Sequence, residues 1–274
     1  MIPDLPIDDD AMRPGWLRLA LEGRVPLEAA ALVAALPLLA ASPRGDGHPV
    51  LVFPGLAATD TSTRPLRRLL RGLGHDAHGW QLGRNLGPRP EILEGALHRI
   101  RTLAERHGRR VSLVGWSLGG IYARELAKQL PDAVRAVVTL GTPFAGSPRA
   151  TNAWRLFELL NGRQHREPRL REGLRTPPPV PTTSIWSRSD GIVAWQCSVE
   201  RPGPQAENIV VAASHVGLGV NPLALHALAD RLAQPEGGWR PFERRGLRRW
   251  LFADPARAAA RGMSEAVRTA GAAR

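Results

Sequence analysis

At 274 residues the chain is long enough for one large domain whose core needs no staples, and its single cysteine, Cys197, excludes an internal disulfide or a cysteine-built structural zinc site. The formal net charge of +12 rests on arginine, with Lys128 the one lysine. No basic helix with periodic base-reading residues and no zinc-finger spacing accompanies that charge, so no nucleic-acid partner is expected.

The acidic start, MIPDLPIDDDAM, lacks the basic n-region of a secretion signal. Residues 16–41 read as one or two helices packed outside the main body. Their apolar run, Ala29 to Ala41, is 13 residues long and contains Pro37, against about 20 residues for a spanning helix. A soluble, cytoplasmic chain is therefore expected, with export left open.

His48 to Phe53 predicts a buried strand ending at the Pro54-Gly55 turn. A helix follows over 61–72, a weak strand over 75–80 and a helix over 89–107. Val111 to Val114 is a second clear strand, running through a glycine-rich turn into a helix over 118–130, and Ala133 to Leu140 is a third. Further strands are expected at 182–187 and 208–213, and a helix at 222–233. Alternating strands and helices of these lengths give an α/β fold: a mostly parallel sheet with helices on both faces. The segment 144–180 holds a helix near 152–160 and then a charged, Pro-rich stretch, and is read as an inserted cap or lid.

Three parts result: an N-terminal helical extension (1–47), a catalytic domain (48–235) and a basic amphipathic tail (236–274). Between Trp239 and Arg274 the tail carries nine arginines against three acids. Its expected form is a helix packed on the body with a solvated arginine face. Docking of this tail on an anionic membrane surface or a partner is the first alternative, and disorder after Met263 is another.

The strongest local signal is Gly115-Trp116-Ser117-Leu118-Gly119, a G-x-S-x-G match with a strand before it and a helix after it. A nucleophile at such a turn needs glycines two residues either side, so that strand and helix can approach. The helix that follows points free N–H groups at developing negative charge. Serine also needs a base, and the base needs an orienting acid. In the order Ser, acid, His, the candidates are Asp190, in Ser189-Asp190-Gly191, and His215, in Ser214-His215-Val216. Glu200 and Glu207 are fallback acids. The oxyanion donors are expected to be the amides of Leu118 and Leu56, with Ala57 the alternative to Leu56. Pro54, Trp116 and Phe144 are expected to line an apolar pocket. No metal and no organic cofactor is expected.

The blocks LVFPGLAATD, VSLVGWSLGG, VVTLGTPFAGS, SRSDGIV and SHVGLG, in this order, resemble the lipase-like α/β-hydrolases. They are especially similar to bacterial esterase/lipases and PGAP1-like inositol-deacylating hydrolases. The resemblance covers roughly residues 48–232. It implies an α/β-hydrolase fold, the triad Ser117, Asp190 and His215, oxyanion amides at Leu56 and Leu118, and cleavage of a small-molecule or lipid carboxylester through an acyl-enzyme. Pro54 stands where a histidine is usual, and Ala194 where proline is frequent. An amidase, thioesterase or acyltransferase would use the same machinery. A non-catalytic binding module of this fold is the alternative from another class. Oligomeric state is not legible.

Overall fold

The computed structural model describes residues 13–146, 148–162 and 168–261. Its centre is a six-stranded sheet of order β2-β1-β3-β4-β5-β6, every pair parallel. The strands are β1 (Pro49–Phe53), β2 (Asp76–Gly79), β3 (Val111–Trp116), β4 (Val134–Leu140), β5 (Thr182–Trp186) and β6 (Ala206–Val210). Strands covered on both faces read as continuous apolar runs, and β1, PVLVF, is buried along its whole length. β2, DAHG, alternates because it is an edge, which is why its sequence signal is weak.

The helices that flank the sheet are α1 (Trp16–Ala20), α2 (Val25–Ala40), α3 (Arg64–Gly72), α4 (Pro90–His107), α5 (Leu118–Gln129), α6 (Trp154–Asn161), α7 (Pro168–Arg175), α8 (Pro222–Leu232) and α9 (Arg248–Leu251). Alternate residues of each strand feed two cores. Val50, Val52 and Val114 pack with Leu39, Leu66 and Leu228, whereas Leu51, Phe53 and Leu113 pack with Ile100, Tyr122 and Leu126. The strand order reverses between β1 and β3, the place where ligands bind above the carboxyl ends of open α/β sheets.

The N-terminal reading holds and that of the C-terminal tail needs correction. Trp16 to Ala40 is helical throughout, and its most apolar 18-residue window has mean hydropathy 1.5. Glu22 and Glu28 on this stretch both turn inward. The charged stretch after α6 contains α7. The tail is mostly non-helical up to α9, with Phe242 and Phe252 inserted in the core and Trp250 left 77% exposed. The expectation of disorder after Met263 lies outside the described residues.

Arg124, on α5, is fully buried and paired with Glu200. It also donates to the carbonyls of Leu174 (3.3 Å) and Thr176 (3.2 Å) at the end of α7, and its guanidinium lies 3.8 Å over the Phe144 ring. The end of α7 is thus anchored to the core by a buried charge, with Lys128 donating to Gly173 O at 2.6 Å and Arg201 pairing with Glu172 further out. Removing one member of a buried pair leaves the other uncompensated. Glu200→Ala is therefore expected to lower unfolding free energy by about 3–5 kcal/mol, measured as a fall in the denaturant midpoint.

Candidate active site

The serine sits where β3 meets α5. Ser117 has φ 53° and ψ −125°, a left-handed backbone that side chains rarely adopt. Its amide bonds Leu140 O at 2.8 Å, fixing it to the end of β4. The flanking glycines are required by contact: a Cβ on Gly115 would lie 2.2 Å from Gly120 Cα, and one on Gly119 2.3 Å from Phe53 O.

Because β1 and β3 are neighbours, with Phe53 opposite Gly115, the loop after β1 reaches the elbow. Gly55 packs there, its Cβ position 3.3 Å from Ser117 Cβ. Of the two donors weighed for this loop, the Ala57 amide is occupied by Asn85 O at 2.7 Å. Leu56 N–H and Leu118 N–H have no protein acceptor among the described hydrogen bonds, and both residues line the same cavity as Ser117. Asn85 was not foreseen. Fully buried, it donates from Nδ2 to Pro54 O at 2.8 Å, and its amide bonds Ala58 O at 2.9 Å. It thereby holds both ends of the loop, a role that no local motif announces.

Asp190 follows β5 and His215 follows β6, both beyond the carboxyl edge. His215 Nδ1 lies 2.6 Å from Asp190 Oδ2, and both side chains are almost wholly buried. The other carboxylate oxygen of Asp190 accepts the amides of Ile192 (2.9 Å) and Val193 (2.7 Å). Burial opposes charge on the imidazole, but the charge and hydrogen bond of Asp190, with the charge of Glu22, outweigh it, so the His215 pKa is raised above the usual 6.5. The His215 loop also rests on the elbow: Trp116 Nε1 donates to His215 O at 3.1 Å. The fallback acids are engaged elsewhere, Glu200 with Arg124 and Glu207 with Arg231 at 2.8 Å.

The N-terminal helices grip the loops of Asp190 and His215. Glu22 accepts the amides of Gly191 (2.8 Å), His215 (2.8 Å) and Val216 (3.0 Å). Glu28 accepts Ser214 N at 2.8 Å and pairs with the Ser214 hydroxyl, and Arg24 donates to Ser189 Oγ at 2.7 Å. One extension thus ties the loop of Asp190 to the loop of His215. Glutamates in a largely apolar stretch were the signal available in the sequence, since such charges are stable there only with partners.

A cavity of about 460 Å³ opens beside Ser117. Leu118, Ile121 and Tyr122 of α5, Leu56 of the β1 loop, and Phe157 and Leu174 of the inserted segment line it. Pro54, Trp116 and Phe144 do not. Pro54 carries the carbonyl held by Asn85, Trp116 braces the histidine loop, and Phe144 lies under Arg124. Adjacency in sequence does not decide which side chains face the cavity: Leu118 lines it, whereas Trp116 on the other side of Ser117 turns under the histidine loop. Away from this site, His78 and His107 approach one oxygen of Asp76 at 2.9 and 3.1 Å, a donor set close enough to hold a divalent ion but built from the edge strand β2 and the end of α4, outside the cavity lining.

Sheet order, elbow and flanking loops define an α/β-hydrolase fold. Within that class, residues 75–180 match the family model of the PGAP1-like alpha/beta domain. The fold is similar to that of Aspergillus fumigatus lipase B (20% identity over 72% of this chain, TM-score 0.57), a Bacillus licheniformis lipase (17% over 69%, 0.53) and Paleococcus ferrophilus monoacylglycerol lipase (17% over 68%, 0.50). The matched parts span 54% of the Aspergillus protein, 94% of the Bacillus one and 96% of the Paleococcus one. No curated protein matches the sequence.

If Glu22 supports the imidazolium, Glu22→Gln should lower the His215 pKa and move the acid limb of the kcat/KM profile to lower pH. A limb that stays put or moves up would contradict this role. Asn85→Ala should cut kcat/KM about tenfold or more, roughly 1.4 kcal/mol of transition-state stabilisation, through a mispositioned Leu56 amide.

Proposed function

We propose that the chain is a serine carboxylester hydrolase acting on esters with an apolar acyl group. The observation that carries this reading is the buried Asp190–His215 pair flanking the same end of β4 as the strained Ser117: Ser117 N bonds Leu140 O, and the Cβ position of Gly141 lies 3.1 Å from His215 Nδ1. The apolar lining of the adjoining cavity supports an acyl chain as its occupant.

In the proposed reaction His215 Nε2 takes the Ser117 proton as Oγ attacks the ester carbonyl. Asp190 holds the Nδ1 proton and so fixes the tautomer that leaves Nε2 free to accept. The amides of Leu56 and Leu118 receive the oxyanion. Such donors are worth about 3–4 kcal/mol each because they are aimed at charge that develops only in the transition state. The imidazolium then protonates the leaving alcohol, and water, activated by the same base, releases the acid. Four features support this cycle: acid and base in hydrogen-bond contact, two amides without other acceptors, a left-handed elbow and an apolar cavity.

Two outcomes are expected. Against a series of p-nitrophenyl esters, wild-type protein should turn over apolar acyl groups, and Ser117→Ala should lose at least about 10⁴-fold in kcat. Undiminished turnover by Ser117→Ala would reject the assignment. The kcat/KM profile should rise through an acid limb centred above pH 6.5, because the base acts only when neutral and its pKa is raised. A limb well below that value would contradict the buried pair as the catalytic couple.

A further inference from the structure

A helix on the surface of a soluble domain turns charged residues outward. The N-terminal helices do the reverse. Between Val25 and Ala40 the one charged residue is Glu28, and it is buried against the Ser214 loop. What faces out is Leu27 (73% exposed), Val33 (67%) and Leu38 (78%), continued on α1 by Trp16 (75%) and Leu17 (62%). Only 11% of the most apolar window in this helical stretch is buried. A continuous apolar face of this size marks an interaction surface.

The face reaches the rim of the catalytic cavity. Asn152 donates to Pro14 O at 3.0 Å and to Gly191 O at 2.7 Å. It therefore joins the start of α1 to the acid loop and to the segment before α6, whose neighbours Thr151 and Ala153 line the cavity. On α6 itself Leu159 is 81% exposed. On its other flank α2 packs on α8. Phe252 also packs on α8, its ring 6.2 Å from that of His226, and beside it stand exposed Trp250 and Leu247 among arginines.

We infer that the outward face of α1 and α2 docks on an anionic lipid surface, with the helices lying in its plane. Charge favours this occupant over a second copy of the chain. Two copies at +12 each repel as the faces meet, whereas an anionic bilayer attracts them. The apolar side chains enter the acyl boundary, and the arginines near Trp250 meet headgroups. The helices stay attached to the domain through Glu22, Glu28 and buried Leu39, which argues for lying on the bilayer rather than crossing it. Docking then brings the cavity rim to the lipid. The N-terminal helices are the principal contact and the basic tail is secondary.

The surface does not depend on the reaction, so the test uses full-length Ser117→Ala protein, which cannot degrade the vesicles if the triad is assigned correctly. It is sedimented with phosphatidylcholine vesicles, with and without phosphatidylglycerol. Binding to the anionic vesicles is expected, and Leu27→Glu/Val33→Glu/Leu38→Glu should weaken it at least tenfold. These positions face solvent, so the melting temperature should be unchanged, as should hydrolysis of a soluble short-chain ester when Ser117 is retained. Leu38→Glu alone should give a smaller loss. Overturning results would be absence of binding to anionic vesicles, binding unaffected by the three glutamates, loss of binding only with Trp250→Ala, or a wild-type dimer that the glutamates convert to monomer.

Discussion

Everything at this site depends on keeping a carboxylate and an imidazole in contact away from water. Asp190 and His215 are almost wholly buried and 2.6 Å apart. Burying either alone would cost several kcal/mol. The cost is offset because Asp190 accepts two backbone amides as well as the imidazole. The sheet cannot arrange this alone, since both residues lie on loops beyond strand ends. Glu22 supplies the constraint by accepting one amide from the loop of Asp190 and two from that of His215. It acts as a bracket, and its charge adds to the field that favours the imidazolium.

The same economy explains α2. Its inward side, with a carboxylate under the histidine loop and Leu32, Ala35 and Leu39 against the core, leaves the face of Leu27, Val33 and Leu38 free of any folding role. Surface helices without a partner normally carry charge there. This one carries leucine, valine and alanine, so its outward composition calls for an explanation other than stability. The Glu22 bracket and the apolar face share one helical extension, so whatever contacts that face is mechanically close to His215.

The sheet was legible because parallel strands buried on both sides leave runs such as VLVF and VSLV that little else produces. The elbow was legible because close packing demands glycine at 115 and 119, and the chain order of Ser117, Asp190 and His215 follows from which loops reach the carboxyl edge. The sequence was mute about contacts between segments far apart along the chain. Nothing local to Asn85 says that it will hold the loop of Leu56, and nothing local to Glu22 says that its partners lie some 170 residues or more away. Trp116 misled for the reverse reason. It adjoins Ser117 in sequence, but the turn at Ser117 directs it inward, under the histidine loop.

The most direct test of the account is the site of covalent capture. Protein treated with an organophosphonate and mapped by mass spectrometry should carry one adduct, on the peptide containing Ser117, with labelling strongly slowed in His215→Ala and Asp190→Asn. Stoichiometric modification elsewhere, or labelling of Ser117 at undiminished rate without His215, would contradict a serine activated by this buried pair.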